Sequence, residues 1–178
     1  MIVESFDCSA NTRARVLILG SMPGVESLRR QQYYAHPRNA FWPIMGTLFG
    51  AGRELPYSRR LAKLRRHRIA LWDVAGRCFR PGSLDASIAR ESVVANNFAG
   101  LFVHCPRIHS VFFNGKTAAA LYERIVLPDL PVRLQALDYR TLPSTSPANA
   151  MLTRAQKLEK WRVVQAVLQG KSGGGEMS

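Results

Sequence analysis

A chain of 178 residues is long enough to bury one full core and too short to suggest two domains. Its 25 Lys and Arg against 12 Asp and Glu leave a formal net charge of +13, which points to a polyanionic partner, nucleic acid first. No stretch approaches the ~18 uninterrupted apolar residues of a membrane span, and Met1 to Asn11 lacks the layout of a secretory signal, so a cytoplasmic protein without a membrane partner is expected.

Cys8, Cys78 and Cys105 lie far apart with no C-x-x-C pair, the pattern of reduced thiols rather than of disulfides or a metal site. They are one short of the thiolates an iron–sulfur cluster takes, and His36, His67, His104 and His109 show no zinc-binding spacing. Neither a metal nor a cofactor is expected.

In chain order, Arg15 to Leu19 is a continuous apolar run of the kind that forms a buried strand of a parallel sheet. Gly20-Ser21-Met22-Pro23-Gly24 breaks it and opens a long polar and aromatic loop reaching Trp42. Ligands in such sheets sit beyond the carboxyl ends of the strands, so this loop is expected to line the site. Phe41, Ile44, Met45 and Leu48 repeat at helical spacing over Ala40 to Phe49, and Gly50 and Gly52 stop the helix. Ser58 is placed to cap a second helix, Arg59 to Arg68, whose Arg59, Arg60, Lys63, Arg65, Arg66 and Arg68 form either a solvated face or a phosphate-tracking surface.

Ile69 to Val74 is expected as the second strand, followed by a loop from Ala75 to Leu84 that carries Arg77 and Arg80. Ser83 or Asp85 is placed to cap a short helix, and Asn96 to Val103 is read as another. His109 to Phe113 predicts a third strand and Lys116 to Ile125 a helix; Gly115-Lys116-Thr117 lacks the upstream glycine of a phosphate-binding loop and fits a first helical turn. Val132 to Leu137 alternates weakly as a fourth strand, between the Pro128–Pro131 turn and the Ser/Thr/Pro-rich loop Leu142 to Asn149. Thr153 and Gln156 form a capping-box pattern that opens a helix through Leu168, with Leu158, Trp161, Val164 and Leu168 on one face and Gly170 as its cap. Strands alternating with helices predict an α/β fold: a single three-layer α/β/α domain over residues 1–170 with a mainly parallel four-stranded sheet. Lys171 to Ser178 is expected to be a disordered tail.

Three strand ends thus deliver polar loops: Gly20–Trp42, Asp73–Ser83 and Pro143–Asn149. Together they resemble the uracil-DNA glycosylase superfamily from Val16 to about Asn149. Gly20 to Gly24 is similar to the superfamily's opening motif. Tyr34-Ala35-His36-Pro37-Arg38-Asn39-Ala40-Phe41-Trp42 resembles the segment that follows it in the mismatch-specific branch, and Ser144-Thr145-Ser146-Pro147 a variant of its late His/Asn-Pro-Ser loop. With Arg80 to Asp85 between, the set is most similar to the deoxyinosine (hypoxanthine) branch.

The resemblance implies a monomeric, nucleoid-associated repair enzyme. It would flip a deaminated base, hypoxanthine and also uracil or xanthine, out of DNA and hydrolyse its glycosidic bond without cutting the strand. Met22 stands where most relatives place a water-positioning Asp or Asn, and Ser144 where a His or Asn would contact the leaving base. In the deoxyinosine branch the resemblance moves the catalytic duty to Asn39, whose amide oxygen would orient water toward an oxocarbenium-like centre. Asn39 also fits a helix N-cap.

Gly20, Ser21, Met22, Pro23 and Gly24 would meet the substrate, and backbone N–H groups from Ser21 to Gly24 or the Ser144 hydroxyl would stabilise the leaving anion. Tyr34 would stack on the flipped base, while Tyr33, Phe41 and Trp42 pack inward. Asp73 either reads a base edge or caps the next loop. His36, Arg38, Arg80, Ser146 and Pro147 are expected near phosphates, with local backbone bonding as the plain role of His36 and an ST-turn as that of Ser144 to Pro147. A uracil- or mismatch-specific enzyme and a non-catalytic basic DNA-binding module are the competing readings.

Overall fold

The computed structural model describes residues 1–81 and 88–170. Two sheets organise them. The larger holds β2 (Val16–Gly20), β3 (Ile69–Asp73), β6 (Ser110–Asn114) and β7 (Asp138–Leu142) in the order β3-β2-β6-β7, every pair parallel. The smaller is antiparallel, in the order β1-β4-β5, from β1 (Ile2–Glu4), β4 (Ala75–Phe79) and β5 (Ala89–Ala95).

Period-2 alternation divides the core of the parallel sheet between its faces. Leu17, Leu19, Val111 and Phe113 meet residues of α4 (Phe98–His104) and α5 (Lys116–Ile125), with Leu134 of the short α6 (Val132–Gln135). Val16, Ile18, Ile69, Leu71 and Phe112 meet α2 (Phe41–Phe49), α3 (Tyr57–Arg66) and α7 (Arg154–Leu168). This is the expected three-layer α/β arrangement around a four-stranded parallel sheet. The strand order reverses at β2: the chain leaves it toward β3 and later returns on its other side as β6. Such a switch point opens a crevice at the carboxyl ends of the strands.

The helix predicted over Ala40 to Phe49 is α2, closed by Gly50 at φ 70°. The capping box of Thr153 and Gln156 is formed at the start of α7: Thr153 Oγ1 accepts the Gln156 N–H at 3.2 Å, and Gln156 Oε1 accepts the Thr153 N–H at 2.8 Å.

Several expectations need correction. The stretch from Gly20 to Trp42 is not all loop; α1 (Val25–Arg30) forms inside it, its Glu26 paired with Arg29 and Arg30. Pro56, not Ser58, occupies the N-cap of α3, and Arg60 on that helix is turned inward, with its guanidinium 4.7 Å from the Trp42 ring centre. Ala75 to Phe79 is a strand rather than a loop. It contains Gly76 and no β-branched residue, so pairing with β1 and β5, rather than local propensity, specifies it.

The fourth parallel strand is Asp138–Leu142, and Val132–Gln135 is instead one helical turn after Pro131. The true strand is an edge strand whose mostly exposed Asp-Tyr-Arg-Thr sequence hides it from a search for apolar runs. The caps assigned to Ser83 and Asp85 and the tail from Lys171 lie outside the described residues.

Candidate active site

A cavity of about 830 Å³ opens at the switch point, within the size range of small-molecule sites. Its floor is the end of β2. Gly20 there faces Asp73 across the parallel register, and a Cβ on Gly20 would come within 2.5 Å of Asp73 Oδ1 and 2.9 Å of the Tyr34 hydroxyl. Only glycine lets both polar side chains close over the strand end.

Gly20, Ser21, Met22, Pro23 and Gly24 line one wall. Met22 is buried and packs with Val3, Ala75, Cys78 and Ile88, an apolar contact in place of a water-positioning acceptor. Asp73 is buried; its Oδ2 accepts the Ser5 hydroxyl at 3.1 Å, and its carbonyl accepts Asn96 Nδ2 at 2.8 Å.

The aromatic loop supplies the next wall through Tyr34, His36, Arg38 and Asn39. Tyr34 adopts the left-handed region at φ 53° and stacks on Phe41 with ring centres 4.1 Å apart. Tyr33, Phe41 and Trp42 are core, as expected, and the Trp42 indole N–H donates to the Tyr33 carbonyl at 2.7 Å. The Ala35 N–H donates to Ser27 Oγ at 3.1 Å, which ties the loop to α1. Burial pushes the Tyr33 phenol well above its ordinary value, so it stays protonated and donates to the Asp7 carbonyl at 2.9 Å.

Asn39 is half-buried; its Oδ1 accepts the Phe41 N–H at 2.9 Å in an Asx-turn just ahead of α2, whose N-cap is Ala40 rather than Asn39. An amide oxygen has a second lone pair, so this turn and a contact in the cavity are compatible. His36 Nδ1 accepts the Arg38 N–H at 3.1 Å, which realises its local backbone role.

The late loop completes the cavity with Ser144, Thr145, Ser146 and Pro147. Ser144 Oγ accepts the Ser146 N–H at 3.2 Å in an ST-turn, and the Ser144 carbonyl accepts Asn149 Nδ2 at 3.1 Å. Four hydrogen bonds from three residues fasten this loop. Asn114, at the end of β6, donates to Thr145 Oγ1 and accepts the Thr145 N–H, each at 2.9 Å. Trp161 Nε1 donates to the Pro143 carbonyl at 2.9 Å, and Lys157 Nζ to the Ser146 carbonyl at 3.1 Å. Burial holds the Lys157 ammonium below the usual lysine range. The Ala40 N–H donates to the Thr145 carbonyl at 3.0 Å, which ties the aromatic loop to the late loop.

The structure therefore brings together Gly20 to Gly24, Tyr34, His36, Arg38, Asn39, Asp73, Ser144, Ser146 and Pro147 around one cavity. Arg80 is the exception. It is fully buried, its Nη2 donates to the Pro23 carbonyl, and its Nε and Nη1 have no hydrogen-bond partner among the described residues. It braces the wall of the cavity from beneath rather than facing a phosphate. Asn114 and Lys157 carry no expectation from the sequence. Asn114 ends an apolar strand just as Gly20 and Asp73 do, which is the signal that could have found it. Among the described residues no cluster of His, Cys, Asp and Glu could hold a metal ion.

The family model described as the Uracil DNA glycosylase superfamily matches residues 8–168. A Methanosarcina acetivorans protein named hypoxanthine DNA glycosylase is 36% identical over 167 residues, covering 92% of this chain and 98% of that protein. One of the same name from Methanosarcina barkeri is 36% identical over 157 residues, covering 86% of this chain and 92% of its own length. The solution NMR structure of a uracil DNA glycosylase candidate from Methanosarcina acetivorans superposes with a TM-score of 0.76 at 34% identity, covering 95% of this chain and 99% of that one.

Proposed function

The chain belongs to the uracil DNA glycosylase superfamily and is a DNA glycosylase; from that premise we propose that it removes hypoxanthine from DNA, by hydrolysing the N-glycosidic bond of a deoxyinosine flipped into the 830 Å³ cavity. The observation that carries the proposal is the convergence of Tyr34 and Asn39, from one loop, on the cavity that Gly20 to Gly24 and Ser144 also line.

The chemistry follows from the charges that develop. Cleavage builds positive charge on the sugar and negative charge on the departing base, so a strong base is not required to activate the water. Asn39 Oδ1, held by the Phe41 N–H, orients a water at the anomeric carbon through its remaining lone pair. The base is gripped by the Tyr34 ring, which Phe41 backs in a stack. The Ser144 hydroxyl and the backbone N–H groups of the Gly20 to Gly24 wall, proline excepted, stabilise the leaving anion, and Asp73 accepts a hydrogen bond from a base N–H. His36, Arg38, Ser146 and Pro147 meet the strand that carries the lesion.

Lys157 Nζ bonds the outer side of the late loop, at the Ser146 carbonyl, and the residue is not among those lining the cavity. No Schiff base forms, and the product is an intact strand with an abasic site. The enzyme works as a monomer on chromosomal DNA.

Labelled duplexes carrying inosine, uracil or xanthine, incubated with the protein and then treated with alkali, test the reading. Alkali-dependent cleavage at inosine, exceeding that at uracil or xanthine and absent without alkali, is expected. Cleavage at uracil alone would turn the reading to the uracil-specific alternative, and binding without cleavage at any of them to a non-catalytic module.

A further inference from the structure

We propose that Arg53 is a positioning residue that couples contact with the DNA backbone to the placement of Asn39: one nitrogen of its guanidinium grips the Asn39 turn while its other N–H groups take a phosphate. The proposal rests on the glycosylase reading above and adds a site to it.

The turn that presents Asn39 is tight. Its own N–H donates to the His36 carbonyl at 2.9 Å. Arg53 Nη2 donates to that same carbonyl at 2.8 Å and to the Asn39 carbonyl at 3.3 Å, so a single nitrogen spans both ends of the turn. Local backbone geometry makes the long reach possible. Gly50 ends α2 at φ 70°, the Ala51 N–H folds back to the Met45 carbonyl at 3.2 Å, and Arg53 thereby returns to face a turn that lies before the helix.

A neutral side chain could staple two carbonyls. A guanidinium brings a permanent charge and a planar fork, and here Nη2 serves both carbonyls while Nε and Nη1 have no hydrogen-bond partner among the described residues. Arg53 is exposed and forms no ion pair among the described residues. Its surroundings are also cationic. Burial and then the charge of Arg30 depress its pKa, and Arg53 in turn depresses that of Arg60, so these guanidinia share one field. Exposed Arg38 sits within the gripped turn, next to Asn39. Arg30 is paired with Glu26, but Arg53 and Arg38 form no ion pair among the described residues, and such unpaired like charges beside the turn that presents Asn39 favour an incoming phosphate. A phosphate on the outer edge of Arg53 would hold the guanidinium in place, and the guanidinium would hold Asn39.

The test compares Arg53→Gln and Arg53→Lys with the wild-type protein in two measurements on an inosine duplex. One is the slope of log affinity against log salt concentration; the other is the single-turnover rate of base release at saturating enzyme. Removing the charge should reduce the salt slope by about one phosphate contact. Arg53→Lys should keep the slope, because the charge remains. Both variants should slow release by roughly 10-fold or more, because the Gln side chain is shorter than that of Arg and the Lys ammonium lacks the planar geometry of the guanidinium, and small misplacements are costly in rate.

Combined with Asn39→Ala, Arg53→Gln should slow release no further, because it acts through Asn39. An unchanged salt slope in Arg53→Gln, at an unchanged melting temperature, overturns the phosphate contact. Independent losses in the double variant overturn the coupling. If the wild-type protein releases no base, the glycosylase reading falls by itself, and the salt slope still decides the phosphate contact.

Discussion

Substituting Gly20 by alanine perturbs the floor of the cavity with a single added carbon. That Cβ would lie 2.5 Å from Asp73 Oδ1 and 2.9 Å from the Tyr34 hydroxyl, where ordinary contact begins at 3.4 Å. The carboxylate must retreat by about 0.9 Å and the phenol by about 0.5 Å. Asp73 is buried and tied through Ser5 and its own carbonyl, and Tyr34 is stacked on Phe41, so neither is the loose end of a surface side chain.

Overpacking of this kind costs about 1–3 kcal/mol of stability. In a domain of this size each kcal/mol lowers the melting temperature by roughly 2–4 °C, so the variant stays folded at assay temperature. Because Tyr34 and Asp73 both line the cavity, the larger effect is on the chemistry: a shift approaching 1 Å lowers the rate by about 100-fold. Single-turnover release from an inosine duplex and thermal melting by circular dichroism measure the two effects separately. A Gly20→Ala protein that melts as the wild type does and releases base at the wild-type rate would refute the close approach of these side chains as a requirement of the site.

Other perturbations follow from the same contacts. Asn114→Ala strands the Thr145 N–H and hydroxyl, and should cost about 1–3 kcal/mol in denaturant unfolding while loosening the late loop enough to slow base release. Thr153→Ala removes the capping box of α7 away from the cavity; it should cost about 1 kcal/mol and leave the rate of release unchanged. Burial first, and then the charges of Cys105, Asp7 and Asp73, raise the Cys8 thiol from 9.0 to about 12. The unfolded thiol ionises first, so this contribution is complete below pH 9 and is lost as pH rises toward 12; Cys8→Ala should flatten that alkaline loss in pH-dependent melting.

The parallel core was legible because three of its strands, β3, β2 and β6, are largely apolar runs that end abruptly at Asp73, Gly20 and Asn114. Local chemistry also announced α2, through helical spacing and Gly50, and α7, through Thr153 and Gln156. What stayed hidden depends on partners distant in sequence. Strand β4 exists because Ile2 to Glu4 and Ala89 to Ala95 flank it, and nothing in Ala-Gly-Arg-Cys-Phe states that.

The site shows the same division. Residues named from the loops gather at the cavity because the loops leave the carboxyl ends of parallel strands of one sheet, β3, β2 and β7. Arg80 was misplaced because an arginine near a motif has no local mark of burial; the Pro23 carbonyl that receives it is 57 residues away. Arg53 escaped notice for a similar reason, since the turn it grips precedes it by a whole helix.

The measurement that tests the central claim most directly is single-turnover release of free hypoxanthine from a deoxyinosine duplex by the wild-type protein, Asn39→Ala and Asn39→Asp, with affinity for the same duplex determined in parallel. Asn39→Asp keeps an acceptor for the Phe41 N–H, so it separates the turn contact from the rest of the carboxamide's role. The account predicts rapid release by the wild-type protein and a loss on the order of 100-fold or more in Asn39→Ala at nearly unchanged affinity. Release at the wild-type rate by Asn39→Ala would contradict it.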